Sequence, residues 1–266
     1  MAGLFDTPAH LTDDQLNLEL EAVLERAKAA GVERILSVAT NLETSRTNAT
    51  ALRGRPGILV SYGVHPGNAG EVAPGWEDEL DALLRDARPA AVGECGLDNY
   101  HADPPVERQL PVLRAQVRLA RKHGLPLVLH TRKASWEVLK LIEAEGGCPG
   151  VFHCIEADEV LLRAAVNAGF YLGVGGTATY PRNETLRDIL PRLPRDRILL
   201  ETDSPYLAPQ AVRGKRNEPA FVVHTAQVVA EALDMSPAEL AALTPANAAA
   251  LFRVGGGARS NGHGPG

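Results

Sequence analysis

The chain has 266 residues, 27 Lys or Arg against 33 Asp or Glu, and a formal net charge of −6. Hydrophobic residues make up 45% and charged residues 23%, the balance of an ordinary globular protein that can bury a sizeable core without staples. The mild acidity argues against a surface that coats nucleic acid broadly, but not against one local binding site. Three cysteines, Cys95, Cys148 and Cys154, do not make a disulfide framework, and a reducing cytosol is the default. No apolar run nears the roughly 20 residues of a membrane span. Residues 1–9 lack the basic and apolar regions of a secretory signal. These features predict a cytoplasmic protein with no membrane contact and no obligate protein partner.

The first short apolar run, residues 3–6, precedes a helical pattern in which Leu16, Leu20, Val23, Leu24 and Ala27 share one face. Runs at 34–39, 58–64 and 90–94 follow. Val106, Leu110, Leu113 and Val117 then mark a second helix, which stops at Lys122-His123-Gly124, a basic last turn and a C′ glycine. Further runs lie at 126–130, 150–153, 169–174 and 197–201. Ser236-Pro237-Ala238-Glu239 reads as an N-cap, a first-turn proline and a capping-box glutamate. Residues 255–266 are Gly-rich and almost free of apolar side chains, so a disordered tail is expected after a single unit at 1–254.

The eight runs are near-continuously apolar, as strands buried on both faces should be. Strand–helix alternation implies parallel strands with right-handed crossovers. An open doubly wound sheet and a closed (β/α)8 barrel of the TIM type both fit it, and the count of eight favours the barrel.

Metal-ligand residue types recur at the C-terminal ends of these runs: His10, His65, Glu94, His130, His153 and Asp203. In parallel α/β folds that edge carries the chemistry. Neutral imidazoles and carboxylates suit divalent Zn, Mn or Fe, and carboxylates also suit Mg. At about 4.8 Å per strand, the first and eighth strands of a flat sheet would stand roughly 34 Å apart. His10 and Asp203 could share an ion only if the sheet closes.

The motifs Phe5-Asp6-Thr7-Pro8-Ala9-His10, Gly63-Val64-His65-Pro66, Gly93-Glu94-Cys95-Gly96-Leu97-Asp98, His130-Thr131-Arg132, His153-Cys154, Glu201-Thr202-Asp203-Ser204-Pro205 and Arg213-Gly214-Lys215-Arg216-Asn217-Glu218-Pro219 carry a resemblance. Over about residues 4–252 the chain resembles the TatD family of metal-dependent deoxyribonucleases, (β/α)8 barrels of the amidohydrolase superfamily. The resemblance implies one divalent ion (Mg, Mn or Zn) bound by an N-terminal His-x-His, Glu94 and Asp203. It implies a second bound by Glu94, His130 and His153, with Glu94 bridging. It also implies hydrolysis of phosphodiester bonds in DNA, with Glu94 and Asp203 as the catalytic carboxylates.

One departure matters. The family pattern Asp-x-His-x-His has Pro8 in place of its first histidine. Residues two apart on a strand point the same way, so Pro8 is expected to face the site and supply no ligand. The first metal then keeps His10, Glu94 and Asp203 and should bind more weakly. Ile155-Glu156-Ala157 and Gly67 also depart from the family's usual residues, which bears on substrate preference rather than on reaction class.

Further expectations concern neighbours of the site. His65, Arg132, Arg213, Lys215 and Arg216 are expected to contact substrate, the cations by positioning phosphates. Asp6 is expected to hydrogen-bond beneath the site, and Asp98 to orient a ligand or water. Cys95 and Cys154, next to proposed ligands, should point away into packing. His101, His123 and His263 read as surface residues, and His224 as a helical packing residue. Two other functions compete with a deoxyribonuclease. One is hydrolysis of another ester or an amide by the same ligands. The other is a silent barrel that binds nucleic acid or a small molecule.

Overall fold

The computed structural model describes residues 3–101 and 103–254; the tail expected at 255–266 lies outside the described residues. Eight parallel strands lie in sequence order around one sheet. The first half runs β1 (Leu4–Ala9), α1 (Asp14–Asn17), α2 (Leu20–Ala29), β2 (Val32–Ser37), α3 (Leu42–Thr47), β3 (Ile58–Tyr62), α4 (Trp76–Ala87) and β4 (Ala91–Asp98). The second half runs α5 (Val106–His123), β5 (Leu127–Arg132), α6 (Ser135–Ala144), β6 (Gly150–Phe152), α7 (Glu159–Asn167), β7 (Tyr171–Val174), α8 (Glu184–Ile189), β8 (Ile198–Leu200), α9 (Val222–Ala232) and α10 (Pro237–Phe252). This is the single (β/α)8 barrel that the strand count favours.

The seam between β1 and β8 closes largely beyond the end of β8. Asp203 N donates to Pro8 O at 3.0 Å and His10 N to Ser204 O at 2.7 Å. Asp6 bridges the same seam with its side chain, accepting from Thr202 N and Thr202 Oγ1, both at 2.6 Å. Its carboxyl is fully buried, and burial pushes its pKa well up despite these two bonds. Asp6 therefore holds strands together beneath the site, as its position in the sequence suggested.

Two apolar layers build the core. Phe5, Leu36, Val38, Ala91, Val128, Val151 and Leu199 form one cluster, closed by Ala248, Leu251 and Phe252 of α10. The last helix thus plugs the end of the barrel away from the ligand residues. The larger cluster packs the helices onto the outside of the sheet. Local signals explain the element ends: Gly124 ends α5 in the left-handed region, and Ser236 with Glu239 caps α10 reciprocally. The first helical pattern divides at Leu18, 89% exposed, into α1 and α2 rather than forming one helix. Among the described residues no helix is long and apolar enough to cross a membrane.

Candidate metal centre

Glu94 is the buried hub of the ligand residues. It sits in β4, whose Gly93 and Gly96 have positive φ and run tight against β5; a Cβ on Gly93 would lie 2.6 Å from Val128 O. Its two oxygens face different partners. Oε1 lies 2.8 Å from His153 Nε2, 3.1 Å from His130 Nδ1 and 3.7 Å from His65 Nε2. Oε2 lies 3.4 Å from His10 Nε2, which is also 3.2 Å from Asp203 Oδ1. His10, Glu94 and Asp203 thus form one group, and Glu94, His130 and His153 a second that shares the carboxylate.

The outer nitrogen of two rings faces a carboxylate. His130 Nε2 lies 3.2 Å from Asp98 Oδ2, and Asp98 also accepts from the backbone N–H groups of Tyr100 and His101. His153 Nδ1 lies 3.5 Å from Glu201 Oε1, which is itself fixed by the Cys154 N–H at 2.7 Å. With the outer nitrogen keeping its proton, the inner one, which faces Glu94, would be free to take up a metal, the arrangement that orients an imidazole for an ion. The donor chemistry fits a divalent cation: inward-facing imidazole nitrogens around shared carboxylate oxygens. Asp98, expected to orient a ligand or water, lies beside the His130 ring. Glu201 was not singled out in the sequence, although it lies in the Glu-Thr-Asp-Ser-Pro motif.

His65 behaves differently. One donor atom each from His65, Glu94 and His130 lie within 4.8 Å of one another, so proximity alone admits His65 as a ligand. Its Nδ1, however, accepts the Gly67 N–H at 3.0 Å. Burial pushes its pKa down to about 4, with help from the neighbouring histidines and against the pull of Glu94. The ring is therefore neutral, and its one proton sits on Nε2, aimed at the centre. The nitrogen that His65 turns to the centre is thus a hydrogen-bond donor.

The charges are mutually sustaining. Burial raises the Glu94 carboxyl, but the surrounding imidazoles outweigh it and hold its pKa well below the usual range. Burial lowers His130 and His153, but Asp98 and Glu94 for the first, and Glu94 and Glu201 for the second, bring both above the ordinary value. His10 is likewise raised, by Asp203 and Glu94, against its burial.

The family pattern described as TatD related DNase matches residues 5–253. The chain belongs to the TatD family. It is 36% identical over 256 residues to the uncharacterized metal-dependent hydrolase YabD of Bacillus subtilis, covering 94% of this chain and 99% of that protein. It is 38% identical over 261 residues to the 3'-5' ssDNA/RNA exonuclease TatD of Cronobacter sakazakii, covering 94% and 97%. The crystal structure of YJJV, a TatD homologue from Escherichia coli K12, superposes with a TM-score of 0.89 at 30% identity over 94% of this chain and 98% of that one.

Above the candidate ligands of this TatD family member opens a cleft of about 770 Å³, lined by His10, His65, His101, Arg132, Arg182 and Tyr206 among others. Arg132 stands where the sequence put it. Lys215 and Arg216 do not line the cleft: Lys215 is exposed, and Arg216 bonds Glu19 at 2.6 Å and the Gln15 carbonyl. Arg213 stacks 4.5 Å from the Tyr180 ring, which Arg182 also approaches. Arg182, on the β7–α8 connection, is a cleft cation that the sequence reading missed. Pro8 is buried and does not line the cleft. The β1–β2 register shifts between Asp6 and Ala9, so strict alternation does not carry from His10 back to Pro8. Cys95 packs in the core, but Cys154 lines the cleft. The chain turns at Cys154 with φ +49, which ends the alternation assumed for it. His101 is exposed, as expected, yet binds Asp98 at 2.7 Å on the cleft rim. His123 pairs with Asp81 at 2.7 Å, and His224 lies within α9 beside Phe221.

Proposed function

We propose that this TatD family member is a metal-dependent phosphodiesterase that removes nucleotides from an end of DNA or a related nucleic acid. The observation that carries the reading is Glu94, whose two oxygens face two separate ligand groups at the floor of a cleft with cations on its walls. Relatives named metal-dependent hydrolase and 3'-5' ssDNA/RNA exonuclease support it across nearly their whole length.

Divalent ions held by His10, Glu94 and Asp203 and by Glu94, His130 and His153 would supply a nucleophile at neutral pH and offset phosphoryl charge. The chain supplies the rest. Asp203 accepts the proton of the attacking water. His65 donates its Nε2–H to a phosphoryl oxygen as charge develops there. Arg132 and Arg182 hold neighbouring phosphates and set the strand's register without reading its bases. Asp98 and Glu201 keep the ligand rings turned inward. Pro8 stands where the family pattern has an imidazole, so the first ion would keep three protein donors of which only His10 is a histidine, against two histidines for the second, and would bind more weakly.

The test is nucleotide release from short end-labelled DNA and RNA across Mg, Mn, Zn and Co, beside a metal titration of the purified chain. Stepwise release from one end is expected, lost in Glu94→Gln, with two unequal affinities in the titration. No cleavage with any metal would sink the nuclease reading. Two equally tight sites would sink the weakened first site.

A further inference from the structure

The β4–α5 and β5–α6 connections meet on the cleft rim and are pinned to each other by one residue. Asn99 N donates to Arg132 O at 2.9 Å, and Asn99 Nδ2 to Lys133 O at 3.2 Å and to Glu137 Oε2 at 2.6 Å. On this fixed ledge stands Tyr100, 53% exposed, with the Arg132 guanidinium 4.3 Å and the Lys133 ammonium 5.0 Å from its ring centre. Three residues along the chain from Lys133, in the first turn of α6, stands Trp136, 40% exposed. Its neighbours hold that turn in place: Ser135 bonds Thr131 at 2.9 Å, and Glu137 is bound by Asn99. Two large aromatic side chains thus remain open to solvent on a rigid ledge beside two cations. The Glu137 carboxylate beside them is engaged by an amide.

The ledge is continuous with the metal centre. Asp98, which holds the His130 ring, accepts the Tyr100 N–H at 2.8 Å, and Arg132 is shared by ledge and cleft wall. We infer that this ledge is a track for a single strand of nucleic acid running away from the scissile nucleotide. Its bases lie against Tyr100 and Trp136, and its phosphates against Arg132 and Lys133. The inference rests on the nucleic-acid reading above and deepens it. Interleaved aromatics and cations are what a single strand requires, because every unpaired base offers a π-face and every linkage a charge. A duplex offers the charge but hides the faces. The net charge of −6 confines the attraction to such a local patch.

The experiment measures binding of fluorescent oligothymidylates of two and ten nucleotides to the full chain in chelator, where nothing is cut, and of a ten-pair duplex. The natural chain should bind the ten-mer more tightly than the two-mer. Tyr100→Ala and Trp136→Ala should each weaken the ten-mer about tenfold and leave the two-mer unchanged. Tyr100→Phe should retain the affinity. Lys133→Gln should weaken the ten-mer and flatten its salt dependence by about 0.7 in log–log slope, one phosphate's worth. Affinity that does not grow with length, or aromatic variants that weaken duplex and single strand alike, would overturn the track. Turnover of an activated phosphodiester with metal is the separate control. It should be unchanged in Tyr100→Ala, Trp136→Ala and Lys133→Gln. If the natural chain fails to hydrolyse it yet shows the length dependence, the enzymatic reading fails and the track stands.

Discussion

Each imidazole at the centre has one nitrogen committed, and which one decides its work. His153 and His130 each have a carboxylate beside the outer nitrogen and turn the inner one toward Glu94, where a metal would take it; the Nδ1 of His65 accepts a backbone N–H, so its Nε2 presents the proton. His65→Gln should therefore lower kcat by about 10²–10³, the cost of one donor to developing charge, and leave bound metal unchanged. Loss of a metal equivalent by mass spectrometry would instead make His65 a ligand. Glu201→Gln should do the reverse: a 10–100-fold loss of metal affinity, with turnover recovering as metal is raised. Gly173 and Gly175 make the space for Glu201, since a Cβ on Gly173 would sit 2.2 Å from Glu201 Oε2. A metal titration of Glu201→Gln indistinguishable from that of the natural chain would remove its orienting role. The inward residues were legible because strand ends can be read from apolar runs. Glu201 was not, because its task depends on a ring delivered by another strand. Arg216 was misjudged for a related reason: a charge run does not reveal that Glu19, almost 200 positions away, will claim it.

At the scale of elements, β4 and β5 matter most, because together they carry Glu94, Asp98 and His130. Gly96 has φ +148, and a Cβ there would meet His130 O at 1.8 Å. Gly96→Ala therefore combines backbone strain with overpacking, together about 4 kcal/mol. Gly31, φ +86 with nothing within 4 Å of an added Cβ, is the control: Gly31→Ala should cost only the conformational part, about 1–2 kcal/mol. Chemical denaturation separates the two, and equal losses would show that the close β4–β5 approach does not matter. Eight strands and their order could be read from apolar runs, but their limits drift. The run at 90–94 continues to Asp98 as β4, and that at 150–153 stops at Phe152 as β6. A polar, Gly-containing stretch stays extended in β4 because β5 pairs with it out to Asp98. At β6 the left-handed turn at Cys154 ends the strand early, and no propensity predicts that turn. Leu16 and Leu20 share one face of a single helical pattern, yet the chain bends between them and leaves Leu18 exposed.

For the whole molecule, the candidate ligands lie in or just beyond β1, β4, β5, β6 and β8, so a bound ion would tie together strands from around the barrel. Ligand at about 100 times its Kd stabilises a fold by about 2.7 kcal/mol. In a chain of this length that raises Tm by about 5–10 °C. The pH dependence follows from the charges of the metal-free centre. His130 and His153 are raised in the folded state, so their carboxylate pairs stabilise fully below the unfolded imidazole value of about 6.5. That contribution is lost as pH climbs through the raised values. Glu94 is lowered, so its contribution is present above about 4.5 and lost only in acid. From pH 6 to 8.5 the chelated protein therefore loses the histidine contribution and keeps the glutamate one. Metal binding changes in the opposite sense, because each imidazole must shed a proton to ligate, and affinity rises over the same range. The difference in Tm between metal-loaded and chelated protein should widen from pH 6 to pH 8.5. A difference that stays constant would mean that the ion is not held by these histidines.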